Sequence, residues 1–322
     1  MKEISIRDIK NIKIGNAQNE KAGTGCTVIL CEQGAPTGLD VRGGGPASRE
    51  SELLKPMAAA ERIHAVLLSG GSAFGLDASG GVQQYLEERN IGFSVGPLKV
   101  PLVCQSCIFD LGVADYRVRP DKAMGYEACQ NAEQGKYQDG NFGAGTGATV
   151  GKLHGMEYAM KAGIGSYAVS LGNLQVGAIV AVNAFGDIFD WKNGQKIAGL
   201  LDKDKKSFLS MEEELFNGYE IMTGEIPGNT TIGVIITNAK FAKTALCKIA
   251  GMAHNGYARS IRPVHTSGDG DSIYAMSVGD VEANQDVVGT LAAQVMSEAI
   301  IRAVKHAEPA YGYRAWKELQ EE

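Results

Sequence analysis

Residues 228–237 read GNTTIGVIIT: a glycine and an asparagine, two threonines, then an apolar run. A short β-branched run bounded by turn residues predicts a strand buried on both faces. Working outward, the same pattern recurs in CTVILC (26–31), IHAVLLS (63–69), SYAVSL (166–171), VGAIVAVN (176–183) and DSIYAMSV (271–278). Helical spacing marks 74–88, 121–134, 239–257 and 285–305. In the third, Phe241, Ala245, Ile249, Ala253 and Tyr257 form one apolar stripe, and Val288, Leu291, Val295 and Ala299 form another in the last. Strands and helices mix without strict alternation, which predicts layered α/β packing rather than a barrel. From Gln195 to Gly228 the chain turns polar and charged (LDKDKKSF, MEEELFNG) and ends in GEIPGN. An exposed connector leading into the opening stretch is expected there.

The 322 residues suffice for one large core or two modest ones. With 31 basic against 37 acidic residues the net charge is -6, and no basic tract exists to bind nucleic acid. The 42 glycines are about twice the usual share, so many segments need positive φ or close backbone approach. The start, MKEISIRDIKNIKIG, lacks the apolar core of a secretory signal. Aliphatic stretches such as VGAIVAV (176–182) are too short to span a bilayer, so a cytoplasmic location without membrane partners is expected. Six cysteines are then expected to be reduced. Cys104 and Cys107 form a C-x-x-C with neither a second pair nor nearby histidines, so no metal or cofactor is expected.

Four polar motifs interrupt the apolar pattern. In SGGSAFGLDASGG (69–81) Ser72 lacks the final glycine of a nucleophile elbow; it is expected to cap a helix that packs closely through Gly75, Gly80 and Gly81. In NFGAGTGATVGK (141–152), Thr146 and Leu153 break the phosphate-loop pattern, and a dinucleotide pattern ending at Ala148 lacks a preceding strand. What remains is a glycine-rich turn delivering Lys152, which is either solvated or functional. Asn183 ends its strand either as a turn former or as an amide aimed at a reacting carbonyl. In RPVHTSGDGDSIYA (262–275), Asp269 and Asp271 flank Gly270 as solvated turn acids or as a working carboxylate pair, which His265 could join. The five histidines are dispersed, which gives little support to a zinc site or a histidine triad.

In combination, TGCTVIL, DVRGG, LLSGGSAFGLDASGGV, VPLVCQSCIFDLG, GAGTGATVGK, VGAIVAVN, GNTTIGVIITNA and RPVHTSGDGDSIYA resemble the L-aminopeptidase/D-esterase family, in family order from about residue 24 to 278. Its relatives include β-peptidyl aminopeptidases and 6-aminohexanoate-oligomer (nylon) hydrolases. The resemblance implies an α/β fold, a four-layer α/β/β/α sandwich of the self-processing aminopeptidase/ornithine acetyltransferase-like type. It implies a single domain over 1–322, cut by itself at Asn229–Thr230 into 1–229 and 230–322, with the second piece a central strand that keeps the two associated. Cutting there frees the α-amine of Thr230, whose usual pKa of about 7.7–8.0 suits it to act as base for its own hydroxyl. Thr231 is the rival cut site; counting back from TNA at the strand's end favours Thr230.

Carried over by motif, Lys152 and Asn183 match the family's active-site lysine and oxyanion-side asparagine. Asp269 and Asp271 look like the nylon-hydrolase acidic pair; in the aminopeptidase branch the position of Asp269 is typically Ser. Asp269 is expected to contact the Thr230 amine and Asp271 to hold Asp269. Phe109 stands where several relatives have an active-site tyrosine. The implied activity is an autocatalytic amide hydrolase, an aminopeptidase on short peptides, amino-acid amides or esters through a threonine acyl-enzyme. Alternatives are an ω-amino-acid oligomer amidase, an acyltransferase of the ornithine acetyltransferase type, and a non-catalytic small-molecule-binding protein. A homo-oligomer of cleaved heterodimers is implied by family alone.

Overall fold

The computed structural model describes residues 1–219 and 228–320. Its main strands are β1 (Lys2–Ile4), β2 (Lys13–Asn19), β3 (Thr24–Ala35), β4 (Thr37–Val41), β5 (Ala47–Arg49) and β6 (Ile63–Ser69). They continue with β7 (Val103–Cys107), β8 (Ile164–Leu171), β9 (Leu174–Asn183), β10 (Thr230–Ala239) and β11 (Ser272–Val281). The helices are α1 (Ala78–Glu87), α2 (Lys122–Glu133), α3 (Met211–Asn217), α4 (Lys243–Ser260) and α5 (Gln285–Lys305). One six-stranded sheet runs β1-β8-β9-β10-β11-β4, and a five-stranded sheet runs β2-β3-β6-β7-β5. Both are mixed: β10 and β11 are parallel, joined through α4, and so are β6 and β7, joined through α1. Their other neighbours are antiparallel.

The alternation of side chains along each strand builds three apolar layers. Ile179, Ile232, Val234 and Tyr274 of the larger sheet meet Ile29, Val66, Leu68 and Cys104 of the smaller one. A buried hydrogen bond of 2.7 Å between the hydroxyls of Ser106 and Tyr274 crosses this layer. On the outer face of the larger sheet, Val180, Ile235 and Ile273 pack against Ile249, Tyr257 and Val295 of α4 and α5. On the far side, Val28, Leu67 and Val103 pack against Val82, Tyr85 and Ala128 of α1 and α2. The result is α/β/β/α. Helices seat on the sheets at glycines: a Cβ on Gly165 would lie 2.2 Å from the Ala299 carbonyl oxygen, and one on Gly81 1.8 Å from that of Lys122.

The expected strands and helices are all present, with differences at the edges. The segment 74–88 opens as a 3-10 turn, Ser72–Asp77, before α1 begins. Ser72 does not cap it: its φ is +50°, the residue at the cap is Gly71, and no side chain caps the turn. The Ser72 main-chain N–H instead donates to the Ile108 carbonyl at 2.9 Å. Cys104 and Cys107 lie buried on β7, and burial raises both thiols, Cys104 to about 12. Among the described residues α5 is long and apolar enough to cross a membrane, but it is a core helix, with its apolar window 72% buried in the protein.

The expected exposed connector is only partly exposed. Lys196–Ala198 pairs with Asp187–Phe189, and Leu200, Leu201 and Met211 are buried. Asp187 explains this: its carboxylate accepts from the main-chain N–H of Leu200 (2.9 Å) and of Met211 (3.0 Å), and pairs with Lys196 (2.6 Å). Residues 202–206 and 212–219 remain largely open to solvent, and the part of the connector over 220–227 lies outside the described residues.

If α5 seats on Gly165, Gly165→Val must push the helix off the sheet. Urea unfolding should show a loss of about 1–3 kcal/mol, as overpacking typically costs.

Candidate functional site

Strand register assembles the site. In the β9–β10 ladder Asn183 stands opposite Thr230. On the other side of β10, Asn229 bridges to Asp269 in parallel register, just before β11 begins. The end of one strand and the starts of two others thus meet at one edge of the sheet. Alternation then sorts the paired hydroxyls. Thr230 shares the face of Ile232, which points between the sheets, while Thr231 shares that of Gly233 and Ile235, toward the helices. Among the described residues the Thr231 hydroxyl, which is buried, has no hydrogen-bond partner. That of Thr230 donates to the Asn229 carbonyl oxygen and accepts from the Gly270 main-chain N–H at 3.2 Å. The same Gly270 N–H reaches the Asn229 carbonyl oxygen at 3.1 Å.

Lys152 arrives from the glycine-rich turn. Gly151 has φ +76°, and a Cβ there would lie 2.1 Å from the Gly199 carbonyl carbon, so the turn requires glycine. Lys152 is half-buried as a residue, but its ammonium end is enclosed by protein and donates to Asn183 Oδ1 (2.7 Å) and to the Asn183 carbonyl (3.1 Å). Burial lowers it from the usual lysine value to about 7, against the pull of Asp269 and Asp110. Asn183 is fully buried. Its Oδ1 also accepts from the Thr149 N–H at 3.1 Å, and its Nδ2 donates to the Phe109 carbonyl at 3.0 Å. Gly270 and the Thr230 hydroxyl thus both donate to the Asn229 carbonyl, while one N–H of Asn183 is engaged by Phe109. The Phe109 ring, partly exposed, packs on Gly228: a Cβ there would lie 2.5 Å from it.

The acidic pair divides its partners. Asp269 Oδ2 accepts from the main-chain N–H and the hydroxyl of Thr266, each at 2.7 Å. Asp271 accepts from the Thr231 N–H at 2.7 Å and from the main chain and ring of His265. No hydrogen bond joins the two carboxyls among the described residues, so Asp271 does not hold Asp269 directly. It faces α4 instead, on the side of Ile273. Burial, then the charge of Asp271, raises Asp269 to about 6. The Thr230 nitrogen is a peptide nitrogen here, and Asp269 is engaged by Thr266 rather than by it.

Two supports carried no assigned role in the sequence. The stretch Arg42–Gly45 zips its main chain along the acidic loop, with N–H bonds from Arg42 and Gly43 to the Asp271 carbonyl, Gly44 to Thr266 and Gly45 to Asp269. A Cβ on Gly43 would lie 2.2 Å from the Asp269 carbonyl oxygen, so DVRGG needs its glycine to cradle the acidic loop. Lys161, wholly buried, donates to the carbonyls of Gly145, Ala148 and Ala162 and so fixes the turn that leads to Lys152. Only the tertiary fold brings those carbonyls together.

The family model for peptidase family S58 matches residues 5–317. The chain belongs to peptidase family S58. An uncharacterized aminopeptidase of Mycobacterium leprae is 36% identical to this S58 peptidase over 96% of the chain and 92% of the relative. A 6-aminohexanoate-oligomer endohydrolase of Kocuria sp. (strain KY2) is 30% identical over 92% and 85%. The L-aminopeptidase D-Ala-esterase/amidase of Ochrobactrum anthropi, described as a variant of the Ntn hydrolase fold, superimposes with a TM-score of 0.69 at 18% identity, covering 94% of this chain and 86% of that one. A Burkholderia sp. β-aminopeptidase gives 0.68 at 19% identity, covering 98% and 92%. The S58 peptidase therefore has the N-terminal-nucleophile hydrolase fold and is a hydrolase.

Lys161→Met keeps the volume and removes the donor from three buried carbonyls. Urea unfolding should register a loss of about 2–3 kcal/mol, the scale for stranded buried groups.

Proposed function

We propose that this S58 peptidase cuts its own Asn229–Thr230 bond and then works as an aminopeptidase with Thr230 as its N-terminal nucleophile. One observation carries the reading. The Thr230 hydroxyl, the Asn229 carbonyl and the Gly270 N–H form a single hydrogen-bonded set at the mouth of a rigid strand. In the proposed step Thr230 Oγ1 adds to the Asn229 carbonyl carbon while the oxygen gathers charge against the Gly270 N–H. The hydroxyl proton moves to the Thr230 nitrogen as the C–N bond breaks. Water then hydrolyses the resulting ester, leaving a carboxylate on Asn229 and a free amine on Thr230. The products are 1–229 and 230–322.

The freed amine becomes the base for the same hydroxyl against a substrate carbonyl. Asn183, with a second N–H to offer, and Lys152 behind it are assigned to the oxyanion; Asp269 and Asp271 are assigned to the new amine and the strand that carries it. Short peptides, amino-acid amides or esters with a free amine are the proposed substrates, supported by the relatives named aminopeptidases. The acid at Asp269 and the resemblance to 6-aminohexanoate-oligomer endohydrolases favour ω-amino-acid oligomers as a second substrate class.

Purified protein should run as two bands on a denaturing gel, with the smaller one beginning TTIGV on N-terminal sequencing. Thr230→Ala should stay full length. A wild-type chain that remains single after prolonged incubation would sink the proposal. The rate of splitting should also depend on pH with a defined sign. As pH rises, Asp269 gives up its proton at about 6 and Lys152 at about 7, and either loss creates a base within the set of residues that meets at the mouth of β10. Splitting should therefore accelerate through that window and stall below it, as followed by intact mass after rapid cell-free synthesis.

A further inference from the structure

His265 has no part in the chemistry above, yet its geometry is unusual. Its φ is +59°, a left-handed conformation uncommon outside glycine and asparagine. That turn lets one residue place two donors on one oxygen: the main-chain N–H at 3.2 Å and ring Nδ1 at 2.8 Å from Asp271 Oδ2. The other oxygen of Asp271 takes the Thr231 N–H at 2.7 Å, next to the nucleophile. The adjacent Thr266 closes on Asp269 in the same loop. Residues 265 and 266 thus serve the two acids separately.

Both oxygens of Asp271 accept main-chain N–H bonds, which favour the carboxylate over the acid, and facing a carboxylate the Nδ1 atom carries the hydrogen. Among the described residues His265 Nε2 is buried with no hydrogen-bond partner, so a second proton there would find no acceptor. Two side chains of α4 flank the ring. From α4, His254 lies 4.8 Å away ring to ring, and Tyr257 6.0 Å. Burial lowers His254 to about 4 and raises Tyr257 well above its usual value, so neither titrates near neutrality. From β4, Asp40 accepts from Arg42 at 3.1 Å and is paired. Lys152 is a further titrating neighbour of the pair, through Asp269.

We propose that His265 is a positioning residue: as a neutral Nδ1–H imidazole it holds Asp271 as the anionic member of the acidic pair, which fixes the Thr231 main chain and leaves the pair's proton to Asp269. This rests on Thr230 as the splitting nucleophile. Removing the ring donor makes the anionic pair less stable, so the pair keeps its proton to higher pH and the acid limb of the splitting profile moves up.

Two measurements test it. In full-length Thr230→Ala protein with 15N-labelled histidine, the His265 ring should show a protonated Nδ1 and a bare Nε2 at neutral pH; the opposite tautomer or a cation overturns the proposal. The pH–rate profile of splitting is then compared for wild type, His265→Gly and His265→Asn. Glycine tolerates the left-handed backbone and removes the ring, and its acid limb should rise by about one pH unit, the scale of one charge-assisted hydrogen bond. Asparagine also tolerates that backbone and puts an amide N–H near the place of Nδ1, so its limb should stay with wild type. A His265→Gly protein slowed equally at every pH, with its limb unmoved, overturns the proposal. Should wild type not split at all, the function proposed above fails, and the ring tautomer still decides whether His265 clasps Asp271.

Discussion

The hydrogen-bonded ladder from β9 through β10 to β11 sets Thr230 beside Asn183 on one side, with the Asp269–Gly270 peptide bridged to Asn229 on the other. Three pieces of chain distant in sequence converge there because backbone pairing fixes their register. A slip of one residue would exchange Thr230 for Thr231 and turn the hydroxyl from the intersheet layer to the helices. The buried apolar faces of β10 forbid such a slip, since Ile232, Val234 and Ile236 would all be displaced with it. The apolar run after the two threonines is therefore the reason that one of them is held still.

The same rigidity lets the site keep charge away from water. Lys152, Asp269 and Asp271 lie in an environment that disfavours ions, and each is stabilised by donors or acceptors the fold has already placed. Main chain does much of this. Arg42–Gly45 follows the acidic loop bond for bond, and Asn183 is held from Thr149 and Phe109. Backbone groups cost no side-chain entropy to position.

The layers were legible because a strand such as VGAIVAVN carries its two-sided burial in its own residues. Short strands such as β5 and β7 were not: VCQSC mixes polar with apolar residues, and pairing with β6 and β5 makes it a strand. At the site, residue identities could be read from motifs, but partners could not. Asp271 was expected to hold Asp269, yet the pleat turns it toward α4, where His265 and the Thr231 N–H meet it. Ser72 looked like a cap, but Gly71 takes that place. The connector looked exposed because its charge is local, whereas the buried Asp187 that pins Leu200 and Met211 lies upstream of it.

The flanks of β10 and β11 carry one more consequence. Residues 230–322 contribute two interior strands, with β9 paired on one side and β4 on the other, both from the stretch before Asn229. A chain severed at that bond would still be joined by two ladders and by the layers above and below. Refolding differs. The intact chain collapses as one molecule, but two separated pieces must first meet, at the entropic cost of any association. Severance would thus leave the native shape nearly untouched while making its loss hard to reverse.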